Sequence, residues 1–188
     1  MASIHYDLNN SDSLQLMAPP AIGAGFGNAA YPAGMGGVAG VYIIANTSTN
    51  NRYVGISSDL GSRFNTRLAV ITEMGFSADQ MGQVGVCWGS TFYEDTNSQG
   101  VFNVAVPASH QPYVVVIDGY HVNLEHLLIR FVMTQLGAGG TVSNNIAAQT
   151  AYVNSSPDDI SVRLTWGGMG GLFTPGFADA VWVSGAAW

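Results

Sequence analysis

Along the chain the spacing of apolar residues changes several times, and each change predicts an element. Residues 40–46, GVYIIAN, and 52–57, RYVGIS, are β-prone runs around an Asn-rich turn, which predicts an antiparallel hairpin. Leu60, Phe64, Leu68 and Ile71 then fall on one helical face, with Ser58 or Asp59 placed to cap its start. Residues 84–106 hold two more β-prone runs around TNSQG, a second hairpin. PYVVVIDG, at 112–119, is nearly continuous in apolar side chains and predicts a buried strand. NLEHLLIRFVMTQLG, at 123–137, is apolar on most sides and closes on Gly137, which predicts a buried helix. A short helical run is expected at 147–153 and a β-like run, ISVRLTW, at 160–166.

The segments outside this pattern divide the chain. Residues 1–39 start polar and continue as APPAIGAGFGNAAYPAGMGGVAG, a Gly/Ala/Pro density expected to give an extended arm or loop rather than a regular element. Residues 40–150 form the expected domain, with 84–106 as an inserted hairpin, and 151–188 a Gly-rich C-terminal extension. The fold class is α/β: a small, mainly antiparallel sheet flanked by helices.

Composition changes the picture in one respect. Charged residues are 9 % of the 188 and hydrophobic ones 47 %, with a net charge of −7. A typical soluble domain has about 25 % charged residues. All five basic residues are arginine, so the overall field repels polyanions. The single Cys87 excludes an intrachain disulfide, and no zinc-type Cys/His spacing occurs. No basic region followed by an apolar stretch marks a secretory leader, and prolines and glycines interrupt the uncharged residues 18–45, so no membrane span is expected. The compartment stays open between the cytoplasm and export by a non-classical route.

The candidate chemistry lies at 40–64. Gly40-Val41-Tyr42 and Tyr53-Val54-Gly55 place two phenols on neighbouring strands, and Ser57, Leu60 and Arg63 follow at fixed spacing. This pattern, with Leu124-Glu125 on a later helix and Asn144-Asn145 beyond it, resembles the GIY-YIG nuclease superfamily over residues 38–148. The resemblance implies metal-dependent phosphodiester hydrolysis of nucleic acid. Tyr42 or Tyr53 would serve as general base, Arg63 as phosphate ligand, and Glu125 as the carboxylate holding Mg²⁺ or Mn²⁺. Asn144 or Asn145 would complete the site. Arg52 near the turn and Arg67, four residues after Arg63, are the candidate substrate contacts.

Each residue also has a plain structural use: strand tyrosines pack with wet hydroxyls, Glu125 complements a helix N-terminus, and asparagines make turns. The alternative function is a self-assembling filament or shell protein on the same scaffold, a homo-oligomer or polymer. Low charge removes a barrier to association, and Phe173, Phe177, Trp182 and Trp188 stand in a Gly-rich tail suited to docking on a neighbour.

Overall fold

Alternation in a strand sends successive side chains to opposite faces. Here that rule sorts most of the chain. The computed structural model describes residues 2–13, 34, 36–46, 49–65, 73–75, 85–95, 100–103, 114–117, 120–136, 139–144, 160–166 and 180–183. In chain order they form β1 (Ala2–Ser13), β2 (Gly40–Asn46), β3 (Asn51–Ser57), α1 (Leu60–Asn65), β4 (Gly85–Asp95) and β5 (Gly100–Asn103). Then come β6 (Val114–Ile117), β7 (Tyr120–Asn123), α2 (Leu124–Leu136), β8 (Thr141–Val142), β9 (Ile160–Trp166) and β10 (Ala180–Val183). The unit is mixed α/β and mostly sheet.

One sheet runs β10-β9-β1-β4-β2-β3-β8, with β5 paired to the far half of β4. Its ladders are antiparallel except β1 with β9 and β3 with β8. The first hairpin and the start of the helix after it agree with the sequence pattern, while the expected helical positions Leu68 and Ile71 lie outside the described residues. The second hairpin, β4–β5, and the long helix α2 agree as well. Asn123 caps α2 by accepting the His126 N–H at 2.9 Å.

Residues 2–13 differ from the expected arm. Ile4, Tyr6 and Leu8 alternate with Ser3, His5 and Asp7, and the first three are fully buried. Each such side chain contributes about 1.5–3 kcal/mol of burial. β1 lies inside the sheet, with β4 on one side and β9 on the other. Strands β4, β5 and β9 are therefore part of the same sheet as β2 and β3 rather than appendages to it. Between Asp7 and Asn10 the β1–β4 register shifts at a bulge, and there Gly89 lies so close to the Asp7 carbonyl that a Cβ would overlap it.

Residues 112–119 also differ. β6 is not a strand of the main sheet but half of a two-stranded ribbon with β7. Ile117 is buried and Val115 partly so, while Val114 and Val116 point outward and are exposed. The apolar run covers both sides of the ribbon, so its composition alone overstated its burial. The expected helical run at 147–153 and most of the Gly-rich stretch before residue 40 lie outside the described residues.

The main core lies between α2 and one sheet face. It joins Val41, Ile43, Val54, Ile56 and Cys87 to Leu124, Leu127, Leu128, Phe131 and Val132. Tyr6, on this face, donates its hydroxyl to the Leu124 carbonyl at 2.7 Å and ties β1 to the start of α2. The other face is covered at β2 and β3 by α1 and by Met74. Leu60 lies beside Gly40, and the Asn46 amide donates to the Met74 carbonyl at 3.0 Å.

His126 on α2 is 2 % exposed; its Nε2 accepts the Arg130 Nε–H at 3.4 Å, and its Nδ1 is buried without a hydrogen bond. Burial, and then the Arg130 charge, lower its pKa below the ordinary value. The unfolded chain therefore binds more protons than the folded one as pH falls through about 6.5, so stability declines there and is fully present above it. Urea melts across this range should show an acid-side loss of stability in the wild type that is shallower in His126→Gln.

Candidate functional site

The two phenols meet because of register. Across the β2–β3 ladder Tyr42 faces Gly55 and Ile44 faces Tyr53, which makes Tyr42 and Tyr53 diagonal neighbours on one face. Their ring centroids are 6.2 Å apart, tilted by 37°. Gly55 is what permits this: the Tyr42 ring lies over its Cα, and a Cβ at 55 would overlap the ring and the hydroxyl oxygen. On the other side of Tyr42, Trp88 of β4 is its direct partner. The tyrosines are well covered, Tyr42 at 0 % and Tyr53 at 7 % exposure.

α1 brings Arg63 to the same face. The helix starts at a firm cap: the Asp59 carboxylate accepts the Ser62 and Gly37 N–H groups, both at 3.1 Å, and these bonds hold its pKa below the usual value. The Leu60 N–H donates to the Val38 carbonyl at 2.8 Å, which joins the residues before β2 to the helix start. Arg63 stands in the last turn of α1 and is half-buried. Arg67 and Asn145 lie outside the described residues, as do Phe173, Phe177 and Trp188. Trp182 is in β10, paired to Val162 of β9.

Arg52, an expected substrate contact, is not brought to the phenols. It precedes Tyr53, so it points to the opposite face; it is 1 % exposed and donates to the carbonyls of Asn46 at 3.2 Å and Asn51 at 2.9 Å. Burial lowers its pKa to about 10, and the nearby Cys87 opposes that shift, while burial pushes the Cys87 thiol up to about 12. A buried guanidinium bonded to backbone carbonyls holds the turn of the hairpin.

Asn144 is bound to the fold as well. Its Oδ1 accepts the Val54 N–H at 2.8 Å and its Nδ2 donates to the Val54 carbonyl at 2.7 Å. The short parallel ladder of β8 on β3 ends just before it, and the Ser143 N–H donates to the Arg52 carbonyl at 2.9 Å. The amide thus acts as one more peptide unit on the β3 edge.

Glu125 is half-buried in the first turn of α2. α2 packs on the core face, whereas the phenols and α1 lie on the other. Sequence spacing also gave no hint of a polar group across β1 and β9, where His5, Asp7 and Thr165 are hydrogen-bonded. Among the described residues no three or more His, Cys, Asp or Glu side chains gather as a metal site, and no helix is long and apolar enough to cross a membrane. Comparison with family models, curated proteins and solved structures finds no match to this chain.

Two substitutions test this geometry by urea denaturation. Gly55→Ala should cost about 1–3 kcal/mol from overpacking on Tyr42. Combined with Tyr42→Ala the two costs should be strongly non-additive, since the smaller residue makes room for the methyl. Asn144→Ala should cost about 1–3 kcal/mol through the unpaired Val54 groups, and Asn144→Asp should recover only part, because it restores the acceptor without the donor.

Proposed function

We propose that the β2–β3–α1 unit is a GIY-YIG-like site for phosphodiester hydrolysis of nucleic acid. The observation that carries this reading is the meeting of Tyr42 and Tyr53, ring centroids 6.2 Å apart, on the sheet face that α1 and Arg63 also occupy. Three residues of one short sequence pattern share a face, though neither hairpin formation nor core packing requires a phenol at both diagonal positions.

In this reading each side chain has a defined task. Arg63 presents a planar fork of donors to two phosphoryl oxygens and offsets charge that grows as the nucleophile attacks. One phenol accepts a proton from the attacking water. A free phenol titrates near about 10, so this needs a cation close by, the part given to Arg63 in this reading. The second phenol packs against the first and fixes its rotamer. A divalent ion such as Mg²⁺ takes hard oxygen donors and keeps most of its waters, so Glu125 alone is a chemically adequate protein ligand. Bound there, the ion would supply an acidified water and further charge neutralisation. α2 packs on the other face, so Glu125 does not join the phenols and α1 there.

A second reading is favoured by the burial of Tyr42, the structural engagement of Arg52 and Asn144, and the net charge of −7. In it the pattern serves the fold, and the chain is a structural or assembly protein. Cleavage assays on single- and double-stranded DNA and RNA at low salt, with Mg²⁺ or Mn²⁺, separate the two. The nuclease reading expects metal-dependent cutting that falls at least 100-fold in Arg63→Ala, of the order seen when a transition-state donor is lost. Cutting that survives Arg63→Ala, or no cutting beside large particles in light scattering, would favour the second.

A further inference from the structure

β1 is a central strand on a long connector. It lies between β4 and β9, and among the described residues the β9–β10 pair reaches the other strands only through it. Its last residue, Ser13, stands across from Gly85 of β4, while Val41 of β2 stands across from Gly89. The two ends are therefore separated by two strand spacings and about four residues of rise, roughly 15–20 Å. The lead into β2 is fixed on α1, where the Gly37 N–H donates to Asp59 and the Val38 carbonyl accepts from the Leu60 N–H. Residues 14–36 join the two places, contain no charged side chain, and would reach up to roughly 75 Å if fully extended. The chain between β1 and β2 is several times longer than its own sheet requires.

Everything that holds β1 is also present on a second copy. Its two ladders are backbone pairing, its buried side chains are Ile4, Tyr6 and Leu8, and the Tyr6 hydroxyl donates to the Leu124 carbonyl. Moving the strand to another copy keeps each of these contacts, and a sheet that lacks it offers two unpaired edges, at β4 and β9. What favours the strand's own sheet is the effective concentration that the connector sets. That concentration is about millimolar for short linkers and falls as their length exceeds the span. We propose that copies of this chain join by exchanging β1, with residues 2–13 of one filling the place between β4 and β9 of the next. Reciprocal exchange closes a dimer, and one-way exchange extends a row of copies. The exchange supplies the contact for the assembly reading and rests on that reading, not on the phenols.

Ser3 and Glu94 face each other on the exposed side of the β1–β4 ladder, hydrogen-bonded at 3.0 Å. Directly opposed antiparallel residues lie within the Cα separation that a disulfide spans. Ser3→Cys and Glu94→Cys are made on separate full-length chains, mixed in equal amounts, unfolded in urea, refolded together at graded concentrations and oxidised. The native Cys87 is buried and does not compete. A disulfide peptide joining positions 3 and 94 then requires β1 of one chain on β4 of another. Its share should rise about tenfold for each tenfold rise in concentration, as interchain pairing competes with intrachain closure. The double variant on one chain is the control for fold and geometry, and the opposed pair Asp7 and Ser90 gives a second set of positions. Single variants that stay unlinked at every concentration, while the double variant links within one chain, overturn the proposal. So does random oxidation, with 3–3 and 94–94 links as frequent as 3–94 links. Large particles in light scattering beside either result would leave the assembly reading standing on a different contact. Linked species that stop at dimers support the exchange and set aside a filament.

Discussion

Backbone pairing along β1 is the constraint on which the rest of the sheet depends. One strand near the N-terminus carries an antiparallel ladder to β4 on one edge and a parallel ladder to β9 on the other. Without it the β2–β3–β4 group and the β9–β10 pair would each expose an unpaired edge. Its inward side chains add Ile4, Tyr6 and Leu8 to the core, and the Tyr6 hydroxyl reaches the start of α2. Five polar side chains, Asn46, Arg52, Asp59, Asn123 and Asn144, also tie the fold together by binding main-chain N–H or C=O.

The two faces of the sheet have separate duties. One holds the main core under α2. The other changes character along its width, from a covered aromatic patch at Tyr42, Tyr53 and Trp88 to half-buried polar side chains at His5, Asp7 and Thr165. This division follows from parity alone. Tyr53 and Gly55 face one way, so Arg52 and Val54 face the other, and a cation that looks adjacent to the phenols in the sequence is separated from them by the sheet.

Local features of the fold were legible in the sequence, and long-range ones were not. The first hairpin, the Asp59 cap and α2 could be read because turn chemistry, capping and helical spacing act over a few residues. The Tyr42–Tyr53 pair was legible for the same reason, being set by a short hairpin. β1 was missed although Ile4, Tyr6 and Leu8 alternate, since polar residues between and after them resemble a loop until partners far along the chain are supplied. The ribbon of β6 and β7 was misjudged because valine on both faces looks the same whether a strand is covered or bare. Arg52 could have been assigned by parity with Tyr53. The hydrogen bonds joining His5, Asp7 and Thr165 could not, because they require the pairing of β1 with β9, which no local pattern encodes.

The place of β1 between β4 and β9 also sets the order in which the chain can be completed. Translation delivers residues 2–13 before either partner strand, one of which ends at residue 95 while the other begins at residue 160. A strand whose ladders close such long loops makes folding slow relative to a helical bundle of similar size. During synthesis its apolar residues wait, exposed, while the ribosome makes everything between. The polar Ser3, His5 and Asp7 between them, followed by NNSDS, keep that waiting segment hydrated, so the polarity that hides the strand from inspection also protects the nascent chain.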